Sequence, residues 1–421
     1  PMEKFITVEK ARRHILFGVD RVGSERVFLS DASSRYAAEA LRAPEDSPPF
    51  DNSSRDGFAV RWSDIADGDA TLQLAGESAA GAATGRHLRP GEAMRISTGA
   101  KLPEGADTVV MQENCELEGE TLTIPAPPAH GLGSWVRQAG SHLREGEPLI
   151  ERGDRVGPAE VGTLASFRDS RIEVFQKPRV AIVSTGDELV DIDEKPGEGQ
   201  IVNSNVFLLE SLLEATGAEP MIFPTVPDDY EQTMRAFRKA IDSADLVVSS
   251  GGVSVGSHDE VHDVVDELTG GMNFWKIRMK PGKPLAFGTS EDRRNVPLIG
   301  LPGNPNSCFV CFHQFVEPAL QVARGVSPDT LVERPKLRAV LDEPVESTES
   351  RRHYLAGRLT AVDSDYLRFS PAPRQCSGNV ALFCGQNVFG IVPEGVASLE
   401  SGSPIEVELV ESGYFSSSEA S

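Results

Sequence analysis

No apolar run in this chain approaches the roughly eighteen residues of a membrane span, and its opening, PMEKFITVEKARRH, has no apolar signal core. A cytoplasmic protein without direct membrane insertion is the expectation. Cysteine is sparse: Cys115, Cys308, Cys311, Cys376 and Cys384 are odd in number and scattered, which argues against a disulfide framework. Cys308 and Cys311 form a CxxC inside the apolar run CFVCFHQF, with no second Cys/His pair at zinc spacing, so buried packing is expected of them. Positive charge is also short. Against 64 acidic residues stand 41 basic ones, and the formal charge of -23 disfavours nucleic acid and anionic membrane as partners. Lysine is the scarcer base, as an acidic surface adapted for solubility or a salty cytosol would have it. Any anionic ligand must be met by a local basic cluster.

A length of 421 residues with 39% apolar content implies several compact units. TVEKARRHIL reads as a helix capped by Thr7, and DASSRYAAEALR as a second helix begun at Asp31. Residues 50–140 are rich in Gly, Pro and short alternating runs such as TLQLAG and DTVVMQE, the pattern of an all-β domain. A further helix is expected from Pro158. From residue 179 to about 330, strands and helices alternate at the spacing of a parallel, doubly wound α/β domain. Short runs from 331 to 415 suggest a C-terminal β-barrel-like domain, followed by a disordered tail over 416–421. The fold class is thus multidomain α/β plus β. An elongated helical/linker domain made of 1–49 and 141–178 carries the all-β unit as an insertion.

Ligands of open α/β sheets bind beyond the carboxyl ends of the strands, where three loops stand out: STGDEL (184–189), SSGGVSVGSHDE (249–260) and GLPGNPNS (300–307). Gly251, Gly252 and Gly256 let backbone N–H groups approach a phosphate or pterin. Asp187, Glu188 and Asp259 add the carboxylates a magnesium ion requires, although acids here also cap helices. Pro302 and Pro305 stiffen the third loop. In FWKIRMK, period-two alternation predicts Lys276, Arg278 and Lys280 on one face, with Lys283 presented by the next turn, a cluster that points to anion binding. Asp56 before Gly57 and Thr98 before Gly99 read as turn residues.

These segments, with KPGKPLAFG, STGAKLPEGADTVVMQE and PPFDNSSRDGFAV, resemble in order and spacing those of molybdopterin molybdenumtransferases and the C-terminal region of gephyrin. The resemblance implies an elongated homodimer of four subdomains per chain. It further implies transfer of molybdate to adenylylated molybdopterin with Mg, releasing AMP. On that basis Asp56, Thr98, Glu188 and Asp259 are the catalytic candidates, and Asp56, Glu188 and Asp259 the Mg ligands. Thr185, Gly186, Asp228, Ser250, Gly251, Gly252, Ser254, Gly256, Lys276, Lys280, Lys283, Pro302 and Pro305 are the substrate-binding candidates. The chain departs from the family pattern at Arg55, His142, Glu260, Asn306 and the run Gln386, Asn387, Val388. Arg55 is expected to lower the pKa of Asp56. The alternative is a gephyrin-like scaffold holding the short peptide tail of a cytoskeletal, cell-division or membrane protein.

Overall fold

The computed structural model describes residues 3–79, 81, 85–252, 260–292, 294–362 and 366–410. The chain divides into two compact units, one of Pro1–Glu39, Arg152–Pro158 and Arg171–Ser421, the other of Ala40–Glu151 and Ala159–Ser170.

The second unit is built on a six-stranded sheet in the order Thr108–Met111, Gly57–Val60, Glu92–Ile96, Ala70–Ser78, Thr121–Ile124, Glu116–Glu118. All neighbours run antiparallel except Ala70–Ser78 with Glu92–Ile96, whose register shifts between Leu74 and Glu77. Phe58, Val60, Leu72, Ala93, Val110, Leu122 and Ile124 form its core. Gly57 is required at its place, because a Cβ there would run into the carbonyl of Val110.

In the first unit a seven-stranded sheet runs Glu3–Ile6, Phe274–Ile277, Ala286–Thr289, Pro297–Leu301, Leu246–Ser250, Arg179–Ser184, Glu219–Ile222. Its residues alternate between two cores. Val180 and Ile182 face the helices Val8–Phe17 and Ser204–Ala215, whereas Ala181 and Val183 face Tyr230–Ser243 and Glu260–Leu268. The sheet is therefore covered on both faces, as doubly wound sheets are. It is not wholly parallel: Ala286–Thr289 runs antiparallel to both neighbours. The short link from Lys280 to Ala286 leaves no room for a crossover helix, so the chain must reverse. The edge strand Glu3–Ile6 pairs in parallel with Phe274–Ile277, a register that joins residues far apart in sequence. The helix that follows is capped as expected, Thr7 accepting from the Lys10 N–H at 3.2 Å.

The helix expected over 31–42 does not form. Ser34 takes a left-handed φ of 67°, and Tyr36 and Ala37 bridge to Arg155 and Val174 instead. A short run with two serines gains less from one helical face than from these long-range partners. The cationic alternation over Phe274–Lys280 also fails. Lys276 adopts a φ of 68°, the strand ends at Ile277, and Met279 and Lys280 pair with Arg352 and His353. That turn carries the chain from the sheet to the C-terminal domain.

There, Arg352–Val362, Tyr366–Pro371, Leu337–Leu341, Pro404–Leu409 and Val388–Val392 close into a five-stranded barrel, since Arg352–Val362 pairs with both Tyr366–Pro371 and Val388–Val392. Leu341, Leu359, Phe369, Val388, Val392 and Val407 fill it. The tail 416–421 lies outside the described residues.

Between sheet and barrel the helix begun at Pro305 widens into a π turn over Phe312–Val316. Pro318 has no N–H to offer the Gln314 carbonyl. The buried Arg12 takes its place, donating Nε to that carbonyl at 3.0 Å and Nη1 to the Val332 carbonyl at 2.7 Å. Gln314 in turn donates to Glu408 at 2.6 Å. Among the described residues no helix is long and apolar enough to cross a membrane.

Candidate active site

Parallel pairing sets Ser184 beside Ser250, and Ser250 beside Leu301, so the three strand-end loops open side by side. The structure thereby gathers Thr185, Gly186, Ser250, Gly251, Gly252 and the 302–305 loop. Gly251 and Gly252 take φ of 94° and 65°, and a Cβ on Gly252 would collide with Val261 and crowd the Thr185 hydroxyl. Asn205 ties two of the loops together, donating 2.8 Å to the Ser250 hydroxyl and 2.7 Å to the Gly303 carbonyl. At these strand ends Ser184 Oγ and Asn205 Oδ1, on the face of the helix Ser204–Ala215, and Thr185 Oγ1 and Ser249 Oγ, on the opposite face, are buried with no hydrogen-bond partner. A single buried group left so costs about 1–3 kcal/mol. Four at the ends of neighbouring strands make this rim the candidate for ligand binding.

On the sheet's rim Asp187 and Asp228 cap each other's backbone, at 3.4 and 3.1 Å, while Glu188 is exposed beside them. Ser254, Gly256 and Asp259 lie outside the described residues.

A cavity of about 440 Å³ opens between the sheet's loops and the barrel. Lys280, Lys283, Arg351 and His353 line it, together with Asn304, Asn306, Cys376 and Ser377. Asn306, buried, donates to the carbonyls of Cys376 at 2.6 Å and Asn379 at 2.7 Å, which fixes the barrel's 376–379 turn as the cavity wall. Burial pushes the His353 imidazole down to about 4, with Lys280 and Arg351 adding to the effect. Lys276, Pro302 and Pro305 are not in this wall. Lys276 lies 3.5 Å from the Trp275 ring centroid. Desolvation first, then Lys283 and Lys4, lower its pKa. Arg278 faces Glu394 at 3.4 Å.

The barrel's contribution escaped the sequence reading. Arg351, His353 and Ser377 belong to a domain that carried no site motif; the basic run RRH at 351–353, placed in an acidic chain, was the available signal. Asn205, within an ordinary helix, gave none.

In the other unit Asp56 accepts from the Thr98 N–H at 2.7 Å and the Thr98 hydroxyl at 3.0 Å. Those two bonds, the backbone one first, lower its pKa. Arg55 is not the cause: its guanidinium lies over Trp135, 5.0 Å from the ring centroid. The expectation that Arg55 tunes Asp56 is corrected accordingly.

Among the described residues no group of three or more His, Cys, Asp or Glu side chains could hold a metal ion. Magnesium needs no such cage, because it commonly takes one or two carboxylates and completes its shell with water and substrate phosphate. The exposed Glu188 beside Asp187 and Asp228 fits that mode.

Three family descriptions match in sequence order: the MoeA N-terminal region (domain I and II) over residues 6–167, a probable molybdopterin binding domain over 181–322, and the MoeA C-terminal region (domain IV) over 338–410. A molybdopterin molybdenumtransferase of Nostoc sp. is 35% identical over 391 residues, covering 91% of this chain and 88% of its own. The chain belongs to the molybdopterin molybdenumtransferase (MoeA) family. The Haemophilus influenzae relative of that name is 33% identical, with 96% of this chain and 98% of its own covered. Among solved structures, a molybdopterin biosynthesis MoeA protein of Pyrococcus horikoshii superposes with a TM-score of 0.82 at 25% identity, covering 96% of this chain and all of that one. The curated relatives carry an enzyme's name, so the scaffold alternative is not favoured.

Proposed function

We propose that this protein is a molybdopterin molybdenumtransferase that inserts molybdate into the dithiolene of adenylylated molybdopterin and releases AMP. The observation that carries the reading is the double role of one loop, 300–307. Its Gly303 carbonyl closes the cluster of unpartnered hydroxyls, and its Asn304 and Asn306 wall the cationic cavity. A pterin seated at these strand ends, where Asn205 meets the loop, would therefore lie next to an oxoanion held by Lys280, Lys283 and Arg351. Such neutral and charged recognition side by side suits joining a pterin to a molybdate.

The Gly251 and Gly252 backbone admits the substrate phosphates, and Thr185 and Gly186 border them. Magnesium, when bound near Glu188 with Asp187, Asp228 or Asp259, would offset charge on the departing phosphate. Asp56, whose pKa the Thr98 bonds lower, is proposed as a catalytic residue. The active form is proposed to be a homodimer, and light scattering at micromolar concentration is the direct check.

The test combines purified protein with adenylylated molybdopterin, molybdate and magnesium, and reads cofactor formation by activation of a cofactor-free molybdoenzyme. Turnover that falls at least tenfold in Lys280→Ala is expected, since charge-assisted contacts are worth about 1.5–3 kcal/mol. Absence of cofactor formation in the parent protein would overturn the assignment.

A further inference from the structure

His353 is an unusual side chain to find in an anion-receiving cavity, because at neutral pH an uncharged imidazole adds nothing to the field of the surrounding cations. It is buried, at 4% exposure, and it sits directly opposite Lys280 in the short parallel pairing that joins sheet to barrel. Its Nδ1 is engaged with the Ser347 hydroxyl at 3.2 Å, which leaves Nε2 as the nitrogen for a ligand. The charged and titratable groups around it are Lys280 on the paired strand, Arg351 just ahead of its own strand, Tyr354 next to it on that strand, and Lys283 and the Cys376 thiol in the same cavity wall. Among the described residues no carboxylate lines that wall.

We propose that His353 is a ligand of the tetrahedral oxoanion in this cavity and that it takes up one proton from solvent when the anion binds, so that the site recognises a dianion as an imidazolium-containing cluster. The inference rests on the assignment of the cavity made above. Physically, the empty cavity cannot tolerate a further cation beside Lys280 and Arg351, which is why burial and those neighbours hold the imidazole low, at about 4. Two negative charges reverse the balance and favour the protonated ring. The proton goes to Nε2, where it is donated to an anion oxygen, while Ser347 keeps Nδ1 in place.

The sign of the linkage follows. A pKa raised by the bound anion makes affinity greatest at low pH, and affinity then falls as pH rises through the bound-state value. One linked proton limits the slope to about tenfold per pH unit. A site built from lysine and arginine alone would show no such dependence near neutrality.

The full-length protein is titrated calorimetrically with molybdate and, in a parallel arm, with AMP, at about pH 7 in buffers of different ionisation heat. The imidazole Cε1–H signals, eight in all, are followed by NMR, and His353→Gln identifies the one that belongs to His353. The expected result is binding heat that varies with buffer, uptake approaching one proton, and a shift of the His353 signal toward its protonated position. His353→Gln should lose both the buffer dependence and the pH dependence. Proton-linked binding of molybdate places the transferred oxoanion here, and proton-linked binding of AMP alone places the leaving phosphate here. Either supports the inference. Anion binding that Lys280→Ala abolishes, but that leaves the His353 signal and the buffer heat unchanged, overturns the inference and spares the cavity assignment. No binding of either anion, or binding indifferent to Lys280→Ala, overturns both. The parent protein's NMR and heat decide the matter even if the Gln variant does not fold.

Discussion

Two buried polar clusters in the first unit differ in one respect. At the strand ends, Ser184, Thr185, Ser249 and Asn205 hold atoms with no partner. Behind the barrel, Arg12, Gln314, Glu408 and Tyr354 are linked to one another, with Tyr354 Oη 3.3 Å from Gln314 Oε1 and Arg334 closing the far side 3.7 Å from Glu408. Burial is similar, so burial does not distinguish a site from a strut. The number of hydrogen bonds made within the protein does: the first cluster, proposed above to meet the substrate, holds atoms without protein partners, whereas the second is fully linked and serves to fix helix, π turn and barrel in one arrangement.

The largest expected effect comes from breaking the complete cluster. Arg12→Met removes the buried donor to the Gln314 carbonyl, leaves the Gln314 side-chain oxygen with Tyr354 alone, and takes the donor from the part-buried Val332 carbonyl. A loss of roughly 3–5 kcal/mol is expected in urea unfolding, with pterin affinity of the folded fraction unchanged. A variant as stable as the parent would show that the network is ornamental. Ser249→Ala should behave in the opposite way. Removing a hydroxyl that has no partner should leave stability within about 0.5 kcal/mol of the parent, while pterin affinity falls by about 1 kcal/mol, or several-fold. Should stability fall and binding hold, the hydroxyl is structural and the distinction between the clusters collapses.

The incomplete cluster was much the more legible of the two in the sequence. Gly and Ser immediately after apolar runs announce strand-end loops, and Thr7 announces a helix start, because both signals are local. Arg12 has no such mark: its partners Gln314 and Val332 lie some three hundred residues on. The same holds for His353 and Ser377, which join the site only when the barrel closes and the Lys280 strand pairs with it. Local propensity also misled where distant pairing was stronger, at residues 31–42 and at Lys276, whose left-handed backbone ended an otherwise regular alternation. The barrel runs KLRAVL, YLRFSP, VFGIVP and IEVELV were recognisable as strands, but their closure through Arg352–Val362 is a property of register rather than of any one run.

The smallest effect is expected at Asp56, an acid that is both partnered and exposed and so belongs to neither cluster. Its lowered pKa arises from the Thr98 N–H and, second, from the Thr98 hydroxyl. Thr98→Val deletes only the hydroxyl, so the Asp56 carboxyl should titrate somewhat closer to its ordinary value while still lying below it. Arg55→Met removes a nearby positive charge, yet that charge is stacked on Trp135, so the Asp56 titration should not move. The lost ring contact should cost about 0.5–1 kcal/mol at this exposed position. Because a lowered carboxyl pKa keeps Asp56 ionised above it, turnover near neutral pH should change little in either variant, and the acid limb of the pH profile should shift upward in Thr98→Val alone. Carbon-detected NMR titration of the carboxyl in the parent and both variants reads this directly. A shift in Arg55→Met as large as in Thr98→Val would mean that Coulombic tuning by Arg55, and not hydrogen bonding by Thr98, sets the charge of this acid.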